Sequence, residues 1–188
     1  MDVYSFVKDR TREISKQLAL CMRDRAPDKY AVRTLEQMIR YMIIAMHDGY
    51  GDQTGTFVQT QWAAQMTGWQ GDLQDNYSAI KGSRTLAAAE KEKILKHEVE
   101  MNCYQIISTA GSSFAWQRVV HRIGKINEAG PQGSKLLTEA IKIAQSIENR
   151  DFQQFFKLYK VTNYMFACLM LPHFGAMRLV ALAAIEKS

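Results

Sequence analysis

Catalysis and cofactor binding need particular residue types at particular spacings, and this chain carries only fragments of such sets. His97 and Glu98 begin a zinc-type helical motif, but the second histidine it requires four residues on is Met101. His47, His121 and His173 are scattered along the sequence. Gly49, Gly51 and Gly55 follow no strand pattern and lack the Lys-Ser/Thr pair that completes a phosphate loop. Cys21, Cys103 and Cys168 are odd in number, far apart and set in apolar helical patterns. They read as buried thiols in a reducing compartment, not as nucleophiles, zinc ligands or disulfide partners. The residues therefore predict no catalytic set, no metal site and no cofactor site. That is a protein which is not an enzyme and whose work is binding.

Three groups of residues are candidates for that binding. The 188 residues carry a formal charge of +5, and Trp116 to Lys135 is the most basic stretch: Arg118, Arg122, Lys125 and Lys135 are opposed there only by Glu128. Arg118, Arg122 and Lys125 could hold a nucleic-acid backbone by displacing its counterions, although a solvated helix face accounts for the same charges. Trp62 and Trp69 lie between Gly49 and Ile80, a segment without Lys or Arg. They are read as exposed anchors for a protein partner, without the cationic company that stacking on single-stranded nucleic acid uses. Finally, Arg10 falls in register with Val3, Phe6, Ile14 and Leu18, so an arginine on a buried stripe needs a partner. An ion pair with Glu36 would clamp the first helical hairpin, with snorkelling to solvent as the other outcome.

The elements that must position these residues are helices. Three prolines, ten methionines and abundant Ala, Leu, Ile, Gln and Glu disfavour a sheet. A first helix is expected over Asp2–Arg23 and a second from Lys29 to His47, its Met38, Met42 and Met46 forming a core stripe, stopped by Asp48-Gly49. Gly49 to Asn76 reads as a less regular Gly- and Gln-rich segment with one short helix over Phe57–Met66. A long helix follows over Thr85–Thr109, then a shorter one capped by Ser112 and Ser113 and ended by Gly124. The turn Gly130-Pro131-Gln132-Gly133 precedes a helix capped by Ser134. Phe152, Phe155, Phe156 and Tyr159 make one buried face behind an Asp151 cap, and Thr162-Asn163 caps the last apolar run. The expectation is one all-α domain over residues 1–188 of stacked antiparallel helix pairs, an α-solenoid. The opening MDVYSFVKDR is too charged for a secretory signal, and Pro172, His173 and Arg178 interrupt the longest apolar run. An intracellular soluble protein is expected.

Three segments together resemble the suppressor-of-actin-three and GANP (germinal-centre-associated nuclear protein) family. They are YSFVKDRTREI at Tyr4–Ile14, LEQMIRYMII at Leu35–Ile44, and the terminal series RDFQQFFKLYK, NYMFACLM and MRLVALAAI. The resemblance implies a tetratricopeptide- and PCI-like scaffold that binds a PCI-domain partner and a small acidic protein subunit. It also implies a role in nuclear mRNA processing and export, in the nucleus and at the nuclear pore. In the family a winged-helix unit follows the last helix, whereas this sequence stops at Ser188. That would leave Phe174, Met177, Leu179 and Leu182 partly uncovered, and Phe174, Met177 and Arg178 join the tryptophans as candidate partner-binding residues. The alternatives are a proteasome-lid or translation-initiation type adaptor, or a direct RNA-binding module acting through the basic patch.

Overall fold

A computed structural model describes residues 3–21, 29–51, 59–112, 115–123 and 131–186. In chain order the helices are α1 (Val3–Cys21), α2 (Lys29–Asp48), α3 (Gln59–Gly82), α4 (Ala88–Leu95), α5 (Glu98–Ser108), α6 (Ala115–Ile123), α7 (Pro131–Glu148), α8 (Phe152–Val161), α9 (Tyr164–Met170) and α10 (Phe174–Ile185), with a 3-10 turn at Leu171–His173 before α10. Among the described residues there is no strand, and the fold is all-α. The helices gather into two compact units, Met1–Glu98 and Val99–Ser188.

The first unit is built on α2 and α3. The apolar residues of α2 recur at helical spacing, and Val32, Leu35, Met38, Ile39, Met42 and Ile43 are buried. They meet a stripe on α3 made of Trp62, Met66, Trp69, Leu73, Tyr77 and Ile80, all buried. Inside this interface the Tyr77 hydroxyl donates to Glu36 Oε1 at 2.7 Å, and Arg40 Nη1 lies 3.9 Å from Glu36 Oε2. Burial and then the Glu36 contact push the Tyr77 phenol far above its ordinary range, so it stays a donor. The same contact sets the direction of the pair. From Glu36 to the end of α2 is about 18 Å, and from the start of α3 to Tyr77 about 27 Å. A parallel pair would need a connection of about 45 Å, whereas residues 49–58 reach at most about 37 Å. The two helices are antiparallel.

Several sequence expectations change here. Residues 59–82 form one helix of 24 residues, not a short helix in an irregular segment. Its outer face carries Ala64, Gly68 and Gly71, all exposed, where charge would ordinarily mark a solvated side, so its amphipathic pattern is muted in the sequence. Trp62 and Trp69 are only 2% exposed and are core residues, not surface anchors. The indole of Trp69 donates to Ser15 Oγ at 3.0 Å, which fastens α1 to α3.

The α1 face that packs is accordingly the one holding Val7, Thr11 and Ser15, with the Thr11 hydroxyl returned to the Val7 carbonyl at 2.9 Å. Phe6 and Ile14 are largely exposed. Arg10 therefore points to solvent and lies over the Phe6 ring, 5.4 Å from its centroid. It does not pair with Glu36, whose carboxylate is taken by Tyr77 and Arg40.

The expected helix over Thr85–Thr109 is two helices, and they bury very different amounts. In α4 only Ile94 is buried; in α5 every residue from Met101 to Ile107 is. Lys81 Nζ reaches Glu98 Oε1 at 2.6 Å and ties the end of α3 to the first residue of α5. Pro131, Gln132 and Gly133 lie inside α7 rather than in a turn before it, with Pro131 at the first helical position, where its missing N–H costs nothing. The last apolar run, expected as one helix, is three elements. Pro172 near the start of the 3-10 turn removes an amide donor and divides α9 from α10.

Replacing Tyr77 by Phe removes the hydroxyl that donates to the buried Glu36 carboxylate and leaves it only the longer Arg40 ion pair. Denaturant unfolding of Tyr77→Phe should show a loss of about 1–3 kcal/mol, whereas Arg10→Ala should stay within about 0.5 kcal/mol.

Candidate partner-binding surface

The surface that stands out in the second unit is prepared by two caps. At the α7–α8 junction Arg150 adopts φ 52°, and Asp151 Oδ1 then accepts the Gln154 amide at 3.0 Å. At the next junction Asn163 Oδ1 accepts the Phe166 amide at 3.1 Å. Both caps were legible in the sequence. Between them α8 turns Phe155 fully inward, next to the half-buried Phe156 and Tyr159. These three rings surround Phe174, the first residue of α10, with centroids 6.3, 5.0 and 5.1 Å away in edge-to-face arrangements.

The 3-10 turn before Phe174 is held from the other side. Gly111 has φ +77°, and a Cβ there would come 3.4 Å from His173 Cε1, so the position suits glycine. The Gly111 amide donates to Glu148 Oε1 at 3.1 Å. Burial holds the His173 imidazole below its ordinary pKa of 6.5, partly offset by the Glu148 carboxylate.

Phe174 is half-buried, and the buried residue of α10 is Met177, at 3% exposure. Past it Val180 and Ala181 are half-buried, while the other side is apolar and uncovered: Leu179 is 69% exposed, Leu182 56% and Ile185 69%. Its twelve residues contain one charge, Arg178, which is exposed. A helix apolar on all sides normally lies inside protein or membrane. By length and composition Tyr164–Ile185 could cross a bilayer, but Phe166, Cys168, Leu169 and Met170 of its first part are buried in this unit.

Of the residues singled out from sequence, Arg178 is exposed on this helix, while Phe174 and Met177 anchor it. Ile185 belongs to the same surface and was not singled out, although it follows Leu182 by three residues. Arg118 and Arg122 lie on α6 with side chains outside the described residues, and Lys125 lies outside them altogether.

No other chemistry gathers at these elements. Cys103 is fully buried, and burial, with Glu100 and Glu139 nearby, pushes its thiol up to about 12, far from a reactive thiolate. Among the described residues no three His, Cys, Asp or Glu side chains group as metal ligands.

The SAC3/GANP family profile matches residues 1–188. SAC3 family protein B of Arabidopsis thaliana is 27% identical over 200 residues, an overlap covering 99% of this chain and 11% of that protein. The chain thus spans about a ninth of the length of the curated relative it matches. No solved structure is significantly similar.

The anchored and presented parts of α10 should respond differently to truncation. Phe174→Ala should cost about 2–4 kcal/mol in denaturant unfolding, because three rings lose their common neighbour. Leu179→Ala should change stability by no more than about 0.5 kcal/mol. The histidine gives a pH signature. An imidazole with a depressed folded pKa leaves stability intact above 6.5 and erodes it as pH falls below that value, since the unfolded chain takes up the proton first. His173→Phe should flatten that segment of a stability-against-pH curve.

Proposed function

Because the chain belongs to the SAC3/GANP family, we propose that it is a non-enzymatic helical scaffold in nuclear mRNA processing and export. In this reading a PCI-domain partner, itself a helical stack carrying a small acidic subunit, packs on the exposed side of α10. The observation that carries the reading is the helix itself. Leu179, Leu182 and Ile185 stand on an apolar element fixed at Phe174 and Met177 and left open beyond them. Holding the anchor in place before binding removes an ordering cost from association. Burying three large aliphatic side chains in a partner supplies a driving force without hydrogen-bonding demands. The Arg178 guanidinium at the edge of this face provides a polar contact that fixes register.

A proteasome-lid or translation-initiation adaptor would use the same kind of face, since helical stacks of this ancestry join through apolar ends. The family assignment favours the mRNA-export reading and a nuclear location, including the nuclear pore.

A direct test is capture of a PCI-domain partner from nuclear extract by the wild-type chain, repeated with Leu182→Asp. The aspartate should reduce partner affinity at least about 30-fold, the scale of a central interface residue, while the thermal midpoint stays unchanged. Equal capture by both chains contradicts the proposed face, and recovery of proteasome or initiation subunits transfers the scaffold to those assemblies.

A further inference from the structure

Ser15 holds α1 in place through a contact that one covalent change would reverse. It lies half-buried on α1, and its hydroxyl oxygen accepts the Trp69 indole N–H of α3 at 3.0 Å. Apolar burial adds little to that hold. Among the described side chains of α1 no apolar one is buried: Phe6 is 48% exposed, Ile14 40% and Leu20 68%, and the one buried residue is Thr11. Most of the stability of a helix within a protein comes from packing an apolar face. An element without one lifts and unwinds at low cost.

The residues before Ser15 carry a second, independent signal. The run Arg10-Thr11-Arg12-Glu13-Ile14-Ser15 places arginines five and three residues ahead of the serine. Ser15 is the one serine or threonine in the sequence with arginine three residues before it. Both arginines are exposed. On a helix residues two apart point in different directions, whereas on an extended strand they share a face. The spacing therefore suits recognition of an unwound segment by paired acidic pockets, the way arginine-directed protein kinases choose a hydroxyl.

We propose that Ser15 is a phosphorylation site for an arginine-directed protein kinase, and that phosphate there releases α1 from α3. The kinase captures α1 when it lifts. The Ser15 hydroxyl proton passes to the catalytic aspartate of the kinase, and Oγ forms a bond to the γ-phosphorus of ATP. The bond from that phosphorus to the β,γ-bridging oxygen breaks, and ADP leaves. The product brings a charge of about −2 to a position beside an indole that is 2% exposed. Helix α3 offers it no cation before Lys81 and carries Asp72 and Asp75. Arg12, one turn earlier on α1, offers the phosphate a partner away from α3. Redocking is thus opposed, and the Trp69 edge of α3 is uncovered. The inference uses no part of α10 and stands without a PCI-domain partner.

The test is incubation of the full chain with a purified kinase selective for arginine at both those positions and with magnesium ATP, the modified residue being located by mass spectrometry. Phosphate should appear on Ser15. Arg10→Ala and Arg12→Ala should each lower kcat/KM for the transfer on the order of tenfold, the loss of one charge-assisted contact. Amide exchange over residues 7–20 should quicken once Ser15 is phosphorylated, while α2 and α3 keep their protection. Tyr77→Phe separates lifting of α1 from global unfolding, because it weakens the α2–α3 pair and should leave the transfer rate unchanged. The proposal is overturned if Ser15 stays unmodified, if transfer is indifferent to both arginines, or if it accelerates in Tyr77→Phe in proportion to the unfolded fraction. It is equally overturned if exchange over α1 is the same with and without the phosphate.

Discussion

The packing of Phe174 between Phe155, Phe156 and Tyr159 is the contact on which the proposed work of this protein depends. It fixes the start of α10 at one point, and Met177 one turn later completes the anchor. Past Met177, Leu179, Leu182 and Ile185 face outward. Pro172, in the 3-10 turn between α9 and α10, removes an amide donor at that junction. The same aromatic residues would serve merely as core in a helix with a polar outer side. Here the outer side is Leu179, Leu182 and Ile185, and the cost of leaving it in water is what a partner would relieve.

In the first unit the governing constraint is electrostatic. Glu36 is a buried carboxylate in an apolar interface, and a charge in that position is tolerated only with donors aimed at it. Tyr77 supplies the donor, and Arg40 a compensating charge 3.9 Å away. Because Tyr77 comes from α3 and Glu36 from α2, satisfying the charge also fixes the register of the pair. Trp69, on the same face of α3, then fastens α1 through Ser15.

How much of this could be read from sequence depended on how local the signal was. The Asp151 and Asn163 caps, the stop at Asp48-Gly49 and the apolar face of α2 are written within a few residues each, and the structure follows them. Pro131 was legible too, as a helix-starting residue, but the neighbouring glycines pulled the reading toward a turn. Helix α3 was hidden because small residues such as Gly68 and Gly71 replace charges on its solvent side. The same lack of contrast hides the burial of Trp62 and Trp69. On α1 the spacing of Val3, Phe6, Ile14 and Leu18 marks a face other than the one that packs, so Arg10 faces solvent and does not meet Glu36. The packed face is marked by Thr11 and Ser15, which bury by hydrogen bonding and carry no apolar signal. In the terminal run the sequence showed an apolar helix but not which part of it would be covered. Coverage is set by neighbours that lie far away along the chain.

The central claim is that α10 is anchored at its first turn and completed by a partner. Amide hydrogen exchange along residues 174–185, measured for the chain alone and with the proposed PCI-domain partner bound, tests this most directly. The account predicts that residues 179–185 exchange quickly alone and slow markedly in the complex, while Phe174 to Met177 are protected in both. Exchange over residues 179–185 that is unchanged by the complex would contradict it.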